Sequence, residues 1–593
     1  MKRQDADKAY TWKMEHVFES DEKFLEEYEE VSELIKNIDK YKNHLGESAS
    51  TLYEYFVTRD EYDKRVDGLY FYAHQRLHED LGNATYQNYA GKTMNLVNQW
   101  MMSVSFEEPE LIEIGEERIR EYMKEEPALI LYERYLYQIF RAKEHVLSKE
   151  CSELLAMCAD MANGPSDTFA KFSNVDITFP KIKDDNDNDV RITHGNYIKY
   201  LESINRDVRK AAFEAMYETY EKYGNLMASV YNSSVKKDAF YAKAQRYSSA
   251  IEMELDNNEI PLSVYDNLIE AVHRYLPVMH RYVELRKRLM GYDELHMYDI
   301  YTPIVDNEDK KYSFEQAKDI VREALMPMGE EYLGILNEGF CGGWIDVYEN
   351  EGKRSGAYSW SYAGCHPYVL LNYQDNLDSV FTLIHEMGHA IHSYYSNASQ
   401  PYVYSSYRIF VAEVASICNE SLLLHYLIEN ANDNKEKAYY INNYLEKFRG
   451  TLFRQVMFAE FEKITHEMVE NGETLTKENL SELYYDLNKK YYGDSIVVDK
   501  LIEMEWARIP HFYTPFYVYQ YSTGFAAAIA LSAGIISEGE EAVKRYISFL
   551  KGGCSMSPIE LLKIAGVDMT SGEPVDNALK IFEKLVKQME EIV

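Results

Sequence analysis

Val380-Phe-Thr-Leu-Ile-His385-Glu386-Met-Gly-His389-Ala-Ile391 decides how this chain is read. Leu383, Ile384, Met387 and Ile391 recur at helical spacing, so an amphipathic helix is predicted here, with Asp378 or Ser379 as its N-cap. At 3.6 residues per turn His385 and His389 lie one above the other on one face, and both imidazoles can reach one cation. Glu386, about 100° around the helix, stands beside that cation as a base for water rather than as a third ligand. Composition alone predicts roughly 0.07 chance matches to such a pattern in a chain of this length. A longer version of the pattern needs glycine at 392 and histidine at 395, where this chain has His392 and Tyr395. The third donor is therefore expected to be a carboxylate from elsewhere.

Downstream, Ile409-Phe-Val-Ala-Glu413-Val-Ala-Ser-Ile-Cys-Asn-Glu420-Ser-Leu-Leu-Leu424 is strongly helical and carries two acids on one face. Glu413 sits among Phe410, Val411, Ala412, Val414 and Ala415, where an isolated carboxylate costs several kcal/mol unless a cation neutralises it. His385, His389 and Glu413 are thus the expected ligands of one Zn2+ per chain, with the fourth position left for water as in a catalytic site. Glu420 suits a supporting place, accepting a hydrogen bond from the outer nitrogen of a ligand histidine.

A chain of 593 residues is too long for one simple core, and two or more lobes are expected. Lys+Arg 63 against Asp+Glu 99 gives a net charge of -36, which repels phosphate backbones and anionic membrane surfaces. Neither nucleic acid nor membrane is an expected partner. Six cysteines without paired spacing, and an N-terminus with no apolar run behind its charges, fit a reducing cytoplasm. From about 18 to 159 the pattern is of successive amphipathic helices, whose many tyrosines fall at core and boundary positions. Val175–Pro180 and Val190–Thr193 read as short strands around the acidic turn Asp184–Asp189. That turn lacks the glycine and glutamate of a calcium loop. The glycine-rich region 334–374 reads as a small antiparallel sheet just before the motif helix. Such a strand edge either holds an extended peptide by main-chain hydrogen bonds or merely props the helix.

The HExxH motif with Glu413 placed 24 residues after His389 resembles the M3 family of zinc oligopeptidases, in its oligoendopeptidase F branch. Lys353-Arg-Ser-Gly-Ala-Tyr-Ser-Trp360, Tyr492-Gly-Asp-Ser495, Pro510-His-Phe-Tyr-Thr-Pro-Phe-Tyr-Val-Tyr-Gln-Tyr-Ser-Thr-Gly524 and Leu561-Leu-Lys-Ile-Ala-Gly-Val-Asp568 carry the likeness further. It implies a mainly α-helical, zincin-type, neurolysin-like ellipsoid of two lobes around a deep channel, with an N-terminal helical lobe over 1–190 and a catalytic domain over 191–593. It implies a zinc endopeptidase acting on short unstructured peptides, and zinc exopeptidase action is the alternative. His511, Tyr513, Tyr517, Tyr519 and Tyr521 are the candidate donors to the substrate carbonyl, in a stretch that begins as a loop and passes into a helix after Gly524; the resemblance points best to His511 and Tyr519, with Tyr517 a further candidate. Gly356, Ala357 and Tyr358 are the expected substrate strand.

Overall fold

The computed structural model describes residues 1–305 and 310–593, with side chains throughout except at 149, 150 and 153. Helices dominate it, as the sequence predicts, and the strands are only two or three residues long. Contacts group the chain into two units, each drawn from three segments: Met1–Glu144, Asp309–Tyr426 and Leu531–Gly566 in one, His145–Glu308, Leu427–Ala530 and Val567–Val593 in the other. This is a grouping in space, and a single cut at 190 does not reproduce it.

The first unit is built on a long helix, Ala49–Glu79, packed along Ala84–Val104. Asn83 caps the second helix by accepting from the N–H groups of Thr85 and Tyr86. Leu52, Tyr55, Phe56, Leu69, Phe71, Tyr72, Leu96 and Trp100 form its core with Tyr368 and Leu370. The tyrosines here are packing residues: Tyr55, Tyr72, Tyr89 and Tyr132 are all buried, and Phe24 stacks on Tyr72 at 5.2 Å.

In the same unit lies a three-stranded sheet with Tyr368–Leu370 at its centre. Tyr358–Trp360 pairs antiparallel to it on one side, as expected, whereas Ile345–Asp346 pairs parallel on the other, so the sheet is mixed. The reason is the long connection from 346 to 368, which allows a crossover that no tight hairpin could make. Asp346 is held beside it by Lys353 Nζ at 2.7 Å and Arg3 at 2.5 Å, a buried charge satisfied on both oxygens. Tyr358–Trp360 is an edge strand lying along the motif helix.

That helix runs Leu377–Ser399. Its cap is Asn376, whose side-chain oxygen accepts from Ser379 N–H at 2.8 Å; Asp378 lies in the first turn, and Ser379 Oγ accepts from Gln374 N–H instead. Asn376 has the extended backbone a cap requires, which Asp378 and Ser379, already inside the helix, lack. Val380, Leu383, Ile384, Met387 and Ile391 are fully buried, leaving the histidine face to the site. The helix Ile409–Glu429 is the one helix among the described residues long and apolar enough to cross a membrane by composition, but 72% of that apolar window is buried inside the protein. It is a core helix.

In the second unit, Leu262–Met290 is flanked by Glu573–Ile592 and Lys477–Tyr492. The acidic turn closes an antiparallel hairpin of Lys181–Lys183 and Asp189–Arg191, where Asp184 accepts from the N–H groups of Asn186 and Asn188. The hairpin starts later than the sequence pattern places it, because Phe172–Asp176 forms one turn of π-helix and removes Val175 and Asp176 from any strand.

Candidate metal centre

Two helices of the first unit supply the site, and one glycine sets their spacing. A Cβ on Gly388 would meet the backbone of Ser416 at 2.6 Å, so only glycine lets the helix Leu377–Ser399 come this close to Ile409–Glu429. Sequence reading passed over Gly388, although a small residue one position before His389 is the signal of a close helix crossing.

Across that crossing Glu413 Oε2 lies 3.4 Å from His385 Nε2 and 3.6 Å from His389 Nε2. The donor atoms of the three residues lie within 4.8 Å of one another. Donors at zinc–ligand distance on a tetrahedron stand about 3.3 Å apart, so the set fits an ion of that size with only small adjustment. The two imidazole rings are nearly perpendicular, at 82°, with centroids 4.8 Å apart.

His385 is oriented from behind. Its Nδ1 is 2.5 Å from Glu420 Oε1, so a proton on Nδ1 donates to that carboxylate and the Nε2 lone pair faces the site. Ser416 Oγ stands 3.2 Å from Glu413 Oε2 and steadies the third donor. Asn419 accepts from Tyr332 O–H at 3.0 Å on the buried side of the same helix.

The electrostatics favour positive charge here. Burial alone lowers His385, but its hydrogen bond to Glu420 and the nearby acids carry it above its ordinary range. Burial raises Glu413, yet hydrogen bonding and attraction to His389, with His385 behind, bring it below the usual carboxylate range. Glu386, 7% exposed, is pushed up by burial, with both histidines pulling the other way. A buried acid beside this donor set is placed to exchange a proton with a group held there. His392 belongs to the core: its ring stacks on Tyr407 at 3.8 Å, and burial drives its pKa down to about 3.

In the second unit His511, Tyr517 and Tyr521 form a partly exposed cluster. The His511 and Tyr517 rings are parallel within 4° at 6.1 Å, and Tyr521 stands perpendicular to both, at 6.0 and 5.3 Å. Tyr519 is not in it. Its ring is 1% exposed and packs on Tyr265 at 5.0 Å, whereas Tyr521 stands beside both rings of the cluster. The helix begins at Tyr519 rather than after Gly524, and residues 519 and 521 of a helix point some 200° apart. Tyr513 is likewise buried, stacked on Phe169 at 4.3 Å.

Gly356 and Ala357 precede the edge strand; Gly356 takes φ +81° in the turn and its carbonyl accepts from Asn372. The Tyr358 phenol is engaged with Gln75 and with His78 Nδ1. What the edge offers is therefore backbone, not these side chains.

A helix with two histidines one turn apart, a buried glutamate between them and an acid from the following helix defines the HExxH metallopeptidase class. Residues 199–581 match the model of Peptidase family M3, and 110–179 that of Oligopeptidase F. The chain belongs to peptidase family M3 and is a peptide hydrolase. It is 49% identical to oligopeptidase PepF of Bacillus subtilis over 98% of this chain and 87% of that one. It is 39% identical to the group B oligopeptidase PepB of Streptococcus agalactiae over 100% and 98%. The crystal structure of oligoendopeptidase-F from Enterococcus faecium matches with a TM-score of 0.74 at 40% identity, covering 96% of this chain and 99% of that one.

Proposed function

We propose that this protein is a zinc endopeptidase of short, unstructured peptides, with its catalytic residues drawn from 191–593. The observation that supports it best is the ligand set itself: three donors within 4.8 Å, and Glu386 buried beside them rather than among them. His385, His389 and Glu413 would hold the ion. When bound, zinc supplies Lewis acidity, polarising a carbonyl and lowering the pKa of water at its open position toward about 7.

Glu386 accepts a proton from water as the water oxygen bonds to the scissile carbonyl carbon. It then delivers that proton to the amide nitrogen as the C–N bond breaks, and the second proton of the water passes from the new carboxyl group to the amine, leaving a carboxylate and an ammonium group. Glu420 keeps the His385 ring turned so that Nε2 faces the site. Backbone groups of the edge strand Tyr358–Trp360 are free on one side of the sheet to pair with an extended peptide. By the resemblance His511 donates a hydrogen bond to the substrate carbonyl as it becomes an oxyanion, and Tyr517 is assigned with it because its ring lies parallel to that of His511. Tyr521 joins them by its place beside both rings.

The likeness to the oligoendopeptidase-F of Enterococcus faecium supports the internal-cleavage reading, and a cytoplasmic location is proposed with it from the thiols and the acidic charge. Mass mapping of products from peptides blocked at both ends tests it. Internal cuts are expected, and failure on blocked peptides with cleavage of free ones would establish exopeptidase action.

A further inference from the structure

Between His511 and Tyr517 the chain turns a corner at Phe516, and that corner is held by a residue from another helix. Phe516 has φ +50°, a left-handed conformation in which a large side chain is strained. Its N–H donates to Glu462 Oε1 at 2.8 Å. Pro515 precedes it, and Tyr519 opens the next helix two residues after Tyr517, so this one backbone angle decides where Tyr517 emerges. Glu462 is 0% exposed on the helix Arg454–Glu470, and among the described residues its Oε2 has no hydrogen-bond partner. Nothing in the hydrolytic scheme uses it.

We propose that Glu462 is a positioning residue of this peptidase: its carboxyl anchors the Phe516 N–H and so fixes the corner that sets Tyr517 parallel to His511 and against Tyr521. Three features carry this. The ring geometry of the cluster is sharply defined, at 4° and 89°. The Phe516 ring is itself pinned, 2% exposed and 4.5 Å from the His466 ring, so the corner is gripped on both side chain and backbone. Finally, the Glu462 carboxyl is a buried acid with no lysine or arginine paired to it among the described residues. His466, the nearest imidazole, is turned to Asp238 at 3.3 Å and to the Glu462 main-chain carbonyl at 2.8 Å. Burial pushes Glu462 up to about 8, and glutamine, of the same shape, keeps the side-chain oxygen that accepts from Phe516.

The inference rests on the reading of His511 and Tyr517 as substrate donors, and the experiment separates the two. Steady-state hydrolysis of a quenched fluorescent peptide is measured for Glu462→Gln, Glu462→Leu, His511→Ala and Tyr517→Phe, with thermal melting alongside. Glu462→Gln is expected within threefold of the parent. Glu462→Leu is expected to lose tenfold or more in kcat at a temperature where it remains folded, with KM changed less. If His511→Ala and Tyr517→Phe both keep full kcat, the donor reading fails; if they lose kcat while Glu462→Leu does not, the positioning role fails. Should Glu462→Leu not fold, amide hydrogen exchange on the unaltered protein decides. Protection of Phe516 at core-like levels is expected, and exchange at the rate of an open loop would overturn the anchor.

Discussion

Gly388 and Ser416 meet backbone to backbone: a Cβ on the glycine would stand 2.6 Å from the serine Cα. Helix spacing at this crossing fixes the 3.4 and 3.6 Å separations of Glu413 from the two histidines. Gly388→Ala should therefore force the helices apart, destabilise the fold by about 1–3 kcal/mol and loosen metal retention more than any methyl added elsewhere on the helix. Metal content after dialysis, compared with melting temperature, checks it.

Glu420 bonds His385 through Nδ1, on the side of the ring away from the candidate site. Glu420→Ala frees the imidazole to rotate and to change tautomer, and metal affinity should fall about 10–100-fold while the helical content is unchanged. Competition with a calibrated chelator measures this. Glu413→Ala should fall further, since it removes a donor.

In the second unit, a buried charge cluster makes stability depend on pH. Glu505 receives Arg454 at 2.8 Å and the phenols of Tyr217 and Tyr484 at 2.9 and 2.6 Å. Although burial raises its pKa, Arg454 and Arg508 carry it down to about 2. A carboxylate held below its unfolded value of about 4.5 stabilises the fold fully above that pH, and the contribution, roughly 3 kcal/mol, is lost as pH falls from 4.5 toward 2. Denaturation midpoints over this window should drop steeply for the parent protein. They should drop less for Glu505→Gln, which starts lower because Arg454 then lacks its partner charge.

His511→Ala should lower kcat by about 100-fold, the scale of one lost oxyanion donor, with metal content unchanged. Tyr521→Phe, at a position the sequence left open, should lower it as well, whereas Tyr519→Phe should leave kcat near the parent value because that ring is in the core.

Much of the candidate site's geometry was legible because helical period turns spacing into direction. Two histidines four apart, and an acid stranded in an apolar helix, leave few other readings. The placing of Glu420 against His385 followed from the same logic. What could not be read was set by tertiary contact. The parallel pairing of Ile345–Asp346 depends on a crossover, and the choice between Tyr519 and Tyr521 depends on where a helix begins. Gly388 shows its purpose only once Ser416 is seen facing it. The grouping of three segments into each unit is a property of chain path, which local pattern does not encode.

The proposed hydrolysis turns on Glu386 serving as a base beside a bound ion rather than as one of its ligands. Glu386→Gln, purified alongside the parent protein and assayed for both metal content and peptide hydrolysis, tests that most directly. One zinc per chain in both proteins, with hydrolysis reduced by several orders of magnitude in the variant and abolished by chelation in the parent, is the predicted result. A zinc-loaded Glu386→Gln that turns over peptide at near the parent rate would contradict it.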